Sequence, residues 1–413
     1  MKEYRVHSFI LKPSHPAYKT IDDMALNARF LRNYLNYQRR QNFFDKKPFL
    51  SELELRKEMT KTKPQEWTNL PSKIARDVSR SLDESWRSFF ALKKKFPNEK
   101  HKMPGYLKGN QRAAFTVSKD AIRISGLRNG VVTLTKMSQP LCKLPFDASL
   151  LRCVRIIPEG KNFRIELIWK KKIAKPKDSG VVAGIDLGLD NLMSVACDDV
   201  NVKPLLIDGK HLKWLNRKVN REVAKEKSFL SSRGLKSSNT ITSMWRNRNN
   251  AVKAEIHWAT KQVVNYCVEN NVSEVIVGWN KGWKSNTTKD GNTLGKRNNQ
   301  AFRFIPMRLM LDILTYKLEE HGISVIETEE SYTSKTSAID KELPKKHKAY
   351  KGRRVKRGLF RSSQGVLINA DVNGAAQIVR KCKPNAFNWV DGVTVKQSFD
   401  KPIKVRYGEV YCP

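Results

Sequence analysis

The chain carries 79 Lys and Arg against 40 Asp and Glu, so any fold it adopts must tolerate a surplus of 79 − 40 = 39 positive charges. Such a surplus repels itself unless a polyanion shares it, and nucleic acid is the leading candidate. The cations are spread over every segment instead of being gathered in one tail. That distribution fits a channel following a long nucleic-acid backbone better than a single non-specific anchor. Cores are still expected, because 39% of the residues are hydrophobic, with 9 Trp and 17 Phe among them. The 413 residues suggest about two or three domains at ~150 residues each. No run approaches the ~18–20 apolar residues of a membrane span, and the first residues lack the apolar stretch of a signal peptide. A cytoplasmic, nucleoid-associated protein with no membrane partner is expected. The six cysteines form no C-x-x-C pair and read as reduced thiols. Metal chemistry would therefore use carboxylates, which favour Mg²⁺ or Mn²⁺.

The hydrophobic pattern changes twice along the chain. Residues 2–12 alternate as a strand, with Tyr4, Val6, Ser8 and Ile10 on one side and Arg5, His7, Phe9 and Leu11 on the other. From Ile21 to Phe96 the spacing is helical, as in Leu26, Phe30, Leu31, Tyr34 and again in Leu82, Trp86, Phe89, Phe90. Pro104-Gly105 ends this region. Short strands follow: Phe115-Thr-Val, Ile122-Arg-Ile, Val131-Val-Thr-Leu, Val154-Arg-Ile-Ile and Phe163-Arg-Ile-Glu-Leu-Ile-Trp. Joined by the first strand, they predict a β-barrel interrupted by a helical insertion.

From Gly180 the pattern becomes α/β. Val181-Val-Ala-Gly-Ile-Asp-Leu-Gly is a buried strand that carries Asp186, and Leu192-Met-Ser-Val-Ala pairs with it as a hairpin. A basic helix over 211–230, a loop around Gly234 and a long helix from about Thr242 to Glu269 follow, then strands at Val275-Ile-Val and Ile323-Ser-Val-Ile. Residues 333–361 hold 11 Lys and Arg against 2 Asp and Glu, a local balance of 11 − 2 = +9. Asp371 opens a helix with the small apolar face Ala375, Ala376, Ile378, Val379. An acid within a buried strand is costly unless paired or metal-bound. Read alone, Asp186 could cap a turn and Asp371 could complement a helix dipole. Together they form two corners of a carboxylate cluster of the kind that binds divalent metals for phosphodiester hydrolysis.

Gly184-Ile-Asp-Leu-Gly-Leu-Asp-Asn-Leu and Asn369-Ala-Asp-Val-Asn-Gly-Ala-Ala resemble the first and third RuvC motifs of the TnpB family. These are transposon-encoded RNA-guided nucleases from which type V CRISPR effectors derive. Ser331-Tyr-Thr-Ser-Lys resembles the family's Tyr-Thr-Ser segment, and the long helix matches its helical region, His257 included. The resemblance implies a RuvC-like, RNase H-like nuclease domain at 180–332 and 366–385. It further implies a wedge-type β-barrel at 1–14 and 105–178, a helical recognition domain at 15–104, and a target-nucleic-acid-binding insertion at 333–365. A tail at 386–413 remains. The partners implied are a guide RNA and a target DNA, with a monomer plus RNA favoured, and the cofactor is a pair of Mg²⁺ ions.

Two departures qualify the resemblance. The family's second motif ends its strand in Glu, where Gly278 stands here in Val275-Ile-Val-Gly-Trp-Asn. An acid from the neighbouring strand could reach the same metals, so Glu330 is expected to complete Asp186 and Asp371, with Glu329 as the alternative. The family's four zinc cysteines are replaced at about Ser337, Asp340, Ser362 and Gly365, so no zinc is expected. The insertion's Lys335, Lys351, Arg353, Arg354, Lys356, Arg357 and Arg361 are candidates to clamp nucleic acid. Trp67, Trp86, Trp279 and Trp283 are candidates to stack on bases, with core burial expected for at least half of them. The function implied is RNA-guided, metal-dependent DNA cleavage. The alternatives are a nuclease-dead RNA-guided repressor and, more remotely, a strand-joining transposase.

Overall fold

A computed structural model of the chain describes residues 2–178, 180–280, 304–388, 399 and 401–412. It divides into two units, Met1–Lys172 and Ile173–Pro413.

The first unit is built on an antiparallel four-stranded sheet. Its strands are β1 (Lys2–Leu11), β2 (Phe115–Ser118), β5 (Leu151–Glu159) and β6 (Asn162–Lys172), in the order β1-β6-β5-β2. A separate two-stranded ribbon pairs β3 (Val131–Val132) with β4 (Cys142–Lys143). Among the described residues the four-stranded ladder is open, with β1 and β2 as its edges, where a closed barrel was expected. The helices α1 (Tyr18–Phe44), α2 (Glu52–Thr62), α3 (Gln65–Thr68) and α4 (Ser72–Lys95) lie between β1 and β2 in sequence, as the insertion pattern predicts. The stripe of Leu82, Trp86, Phe89 and Phe90 is core, with Trp86 fully buried against Phe43, Phe49, Phe89 and Phe90, whereas Phe30 of the earlier stripe is exposed. The Trp86 indole N–H donates to Asn36 Oδ1 at 3.0 Å, which satisfies the one polar atom that burial would strand. Arg39, also fully buried, is matched by Asp83 at 2.8 Å. The segment Ile122-Arg-Ile, read as a strand, is not one. Ile122 makes a single bridge to Leu134, and Ile124–Arg128 winds into the short helix α5. Only Ile122 of the two isoleucines is buried, at 3% against 68% exposure for Ile124, so the apparent alternation had no second inward member.

The second unit contains a six-stranded mixed sheet in the order β11-β10-β7-β8-β9-β15. β7 (Val181–Leu187), β8 (Asn191–Cys197) and β9 (Leu205–Asp208) form an antiparallel meander. β10 (Val272–Gly278) runs parallel to β7, and β11 (Ser324–Thr328) runs parallel to β10. Among the described residues four helices accompany the sheet: α6 (Lys210–Ser231), α7 (Asn239–Glu269), α8 (Met307–Glu319) and α9 (Ala370–Cys382). The strands read as near-continuous apolar runs because both sheet faces are covered. Ala183, Ile185, Leu187, Val275 and Val277 join the core of α7 and α8, while Ile276 joins Ala375, Ala376, Ile378 and Val379 of α9. A three-stranded antiparallel ribbon of β12 (Arg353–Lys356), β13 (Leu359–Arg361) and β14 (Leu367–Asn369) leads into α9. Residues 386–413, expected as a tail, include β15 (Ile403–Val405), an edge strand parallel to β9. Three residues are too few to leave a periodic signal. No described helix is long and apolar enough to cross a membrane.

α9 crosses β7 at a point where no side chain fits. A Cβ on Gly184 would stand 2.1 Å from the Ala375 carbonyl oxygen and 2.6 Å from Val379 Cγ2. Gly184→Ala should therefore destabilise the second unit by about 1–3 kcal/mol through overpacking against backbone. A lowered denaturation midpoint would register it. Gly105→Ala, with nothing within 4 Å of its added carbon, should leave the midpoint unchanged.

Candidate active site

Strand alternation decides where Asp186 points. Ala183, Ile185 and Leu187 face the α7–α8 core, so Asp186 and Gly184 face α9. α9 begins at Asn369, whose side-chain oxygen accepts from the N–H groups of Asp371 at 2.9 Å and Val372 at 3.1 Å. This cap places Asp371 in the first turn, where the helix dipole favours an acid. One turn along stands Gly374, and a Cβ there would approach Asp186 Oδ2 to 2.8 Å. Two glycines thus let a helix bearing one acid close upon a strand bearing another.

The third carboxylate occupies space a glycine vacates. Gly278 at the end of β10 lies opposite Thr328 of β11. A Cβ on Gly278 would meet both Cγ and Oε1 of Glu330 at 2.7 Å. Asn280 fixes the loop reciprocally: its amide donates to Glu330 Oε2 at 3.3 Å, and its Oδ1 accepts from the Glu330 N–H at 3.1 Å. Glu330 Oε1 is buried without a hydrogen-bond partner. Glu329 turns elsewhere. It is exposed, bonded to Ser331 Oγ at 2.6 Å and ion-paired with Lys381, and those contacts hold its carboxyl below the usual range.

The electrostatics follow from this crowding. Burial, then the charges of Glu330 and Asp371, push the Asp186 carboxyl well above the ordinary carboxylate range, against the pull of Arg354. Burial raises Glu330 to about 7, partly offset by Lys381. Asp371 is held by Asn191 Nδ2 at 2.8 Å and by Arg354 at 3.5 Å. Among the described residues no three His, Cys, Asp or Glu side chains are drawn up closely enough to hold a metal ion as they stand. Glu330 leans on Asn280, and Asp371 on Asn191 and Arg354. Asp186, Asp371 and Asn191 line a cleft of about 740 Å³, whose basic wall includes Lys210, Arg354, Arg357 and Lys404. Asn191 lies inside the Gly184 motif and Asn280 two residues past Gly278. Both were readable there, but neutral amides carry no sign of their role.

The seven candidate cations of the insertion are all exposed. Arg354 and Arg357 reach the cleft, Arg357 through an ion pair with Asp190. In the ribbon Arg353 is directly opposite Arg361, an unfavourable like-charge pair that an anion would relieve. The positions expected to have lost zinc are closed by hydrogen bonds. Ser337 Oγ accepts from the Asp340 N–H at 3.2 Å, and Asp340 takes the Ser363 hydroxyl at 2.5 Å and its N–H at 3.0 Å. Ser362 Oγ accepts from the Val366 N–H at 3.1 Å.

The first unit holds a further basic cleft, of about 970 Å³, which sequence reasoning missed. Arg56, Lys73, Arg76, Arg80, Arg128 and Arg152 line it, drawn from segments distant in the chain. Of the tryptophans singled out, Trp67 and Trp86 are buried, Trp279 is half-buried beneath Arg308, and Trp283 lies outside the described residues.

Residues 164–284 match the family described as a probable transposase, OrfB_IS605, and residues 308–378 match the Cas12f1-like TNB domain. Both matches agree with the resemblance of the sequence motifs to the TnpB family. A Cas12f1-sgRNA-target DNA complex is similar over 87% of this chain and 82% of that one, at 14% identity and a TM-score of 0.53. The mini-RNA-guided endonuclease CRISPR-Cas_phi3 aligns over 92% of each chain, at 12% identity and a TM-score of 0.42. No curated protein matches the sequence.

Because side-chain oxygens and backbone close the insertion, Asp340→Ala should cost about 1–3 kcal/mol by leaving the Ser363 donors unmatched. A zinc chelator should leave the native melting temperature unchanged.

Proposed function

We propose that the chain is an RNA-guided DNA endonuclease in which Asp186, Glu330 and Asp371 hold Mg²⁺, two ions in the working site. The observation that carries this reading is the seat of Glu330 in the space left by Gly278, beside Asp186. The donor set fits a hard divalent cation: carboxylate oxygens, one of them buried without a partner, on two acids driven toward protonation by their surroundings. When bound, Mg²⁺ supplies an activated water and charge neutralisation for in-line displacement at phosphorus. The chain's own residues do the positioning. Asn191 orients Asp371 and Asn280 orients Glu330. Arg354 and Arg357 stand ready to exchange their carboxylate partners for the phosphates of the strand to be cut. The ribbon cations and the basic cleft of the first unit offer backbone contacts to a guide RNA and its DNA target, whose sequence base pairing would read.

A second reading, a nuclease-dead RNA-guided repressor, is motivated by Gly278 standing where the resemblance implies a strand-end Glu. Cleavage of a plasmid bearing a guide-matched target separates the two. Asp186→Ala and Glu330→Gln should each lower cutting by at least about 100-fold with binding retained, the scale on which loss of an electrostatic transition-state partner is felt. Gly278→Ala, which leaves all three acids in place, should also impair it by displacing Glu330. Guide-dependent binding by the native protein with no cutting in Mg²⁺ would support the repressor.

The acids also link cation binding to pH. Glu330 is raised from its ordinary 4.5 to about 7, so the folded state holds a proton that the unfolded state releases. Without a cation, that contribution to stability is present below about 4.5 and is lost as pH rises to about 7. Mg²⁺ competes with the proton. The gain in melting temperature on adding Mg²⁺ should therefore be larger at pH 8 than at pH 5.5, and an equal gain would contradict the assignment.

A further inference from the structure

Three rings form a short ladder at the start of α6. His211 and Tyr407 stack at 4.6 Å between centroids with 16° between planes, and Trp214 continues from His211 at 5.5 Å and 31°. Trp214 is 52% exposed and Tyr407 42%, an uncommon placement for rings that could otherwise be buried. The ladder is held from behind. His211 Nδ1 lies 2.6 Å from Oε2 of the buried Glu255. Trp258 meets Tyr407 edge-on at 5.3 Å, and its indole N–H donates to the Glu409 carbonyl at 2.9 Å. The segment bearing Tyr407 is thereby fixed to α7. Lys218 Nζ sits 5.2 Å over the Trp214 ring. The ladder adjoins the carboxylate cleft along the chain: Lys210 precedes His211, Lys404 is three residues before Tyr407, and both lysines line the cleft.

We propose that Trp214, backed by His211 and Tyr407, is a stacking platform for a base of an unpaired DNA strand whose backbone runs into the carboxylate cleft. This assignment of a substrate subsite rests on the nuclease reading above. Bases within a duplex already stack on one another, so an exposed ring gains contact only with an unpaired base. The neighbouring cations suit the phosphates of that strand. Lys218 can leave the Trp214 face for the adjacent phosphate as a base takes its place. An apolar protein partner would gain little from a ring with a lysine over its face.

Binding of a short fluorescent oligothymidylate to the full chain tests the platform. Trp214→Ala should weaken binding about tenfold, in line with the loss of one stacked base, and Trp214→Phe should restore most of it. An oligonucleotide with abasic residues should bind the native chain and Trp214→Ala equally, because only backbone contacts remain. Equal binding of the base-bearing strand by native and Trp214→Ala chains would overturn the proposal. So would an equal loss on the abasic strand, or a Trp214-dependent preference for oligouridylate RNA over DNA. The two readings fail separately. Trp214-dependent DNA binding without guide-matched cutting would remove the nuclease and leave the platform. Guide-matched cutting with unaltered binding by Trp214→Ala would remove the platform alone.

Discussion

The second unit depends on one close approach of backbone to backbone, the crossing of α9 over β7. Gly184 removes the side chain that would keep the helix off the strand, and Gly374 removes the one that would strike Asp186. With both gone, the N-terminal turn of the helix brings Asp371 to the face of the sheet that carries Asp186. The same packing lets α9 organise the loop that precedes the ribbon. Asn373 bonds the Thr336 carbonyl and the Ala338 N–H at 2.9 Å each, and Gln377 donates to the Glu342 carbonyl at 2.8 Å. Core packing, carboxylate placement and the base of the basic ribbon are thus fixed by a single helix.

Against the resemblance, Gly278 reads in isolation as a missing glutamate. In three dimensions the glycine leaves volume that Glu330 fills. Parallel pairing sets Gly278 beside Thr328, and the chain two residues beyond Thr328 folds its side chain over the vacated position. A side chain at 278 and the observed Glu330 cannot coexist. On the proposed reading the site keeps its charge while the donor changes strand.

Elements with strong periodicity were legible: the long helices, the buried strands of the mixed sheet, and the pairing of the strand before Glu330 with the one ending at Gly278. The helices and strands follow from local rules of spacing and length, whereas the pairing was implied by the resemblance. What escaped depends on contacts between distant segments. The short helix at Ile124–Arg128 replaced a two-residue alternation, and Ile403–Val405 found its partner in a strand nearly two hundred residues earlier. The basic cleft of the first unit draws on four segments, and Trp214 passed unremarked because a lone tryptophan on a basic helix resembles a core residue until its exposure is known. At the site, the acids stood out by type, whereas Asn191 and Asn280 became meaningful only through their distances.

The hydrogen-bonded closure of Ser337, Asp340, Ser362 and Ser363 has a consequence for how the protein matures. A ribbon clasped by four thiolates ties folding to metal supply and to the redox state of those thiols. Here the clasp is made of hydroxyl, carboxylate and backbone groups that arrive with the chain itself.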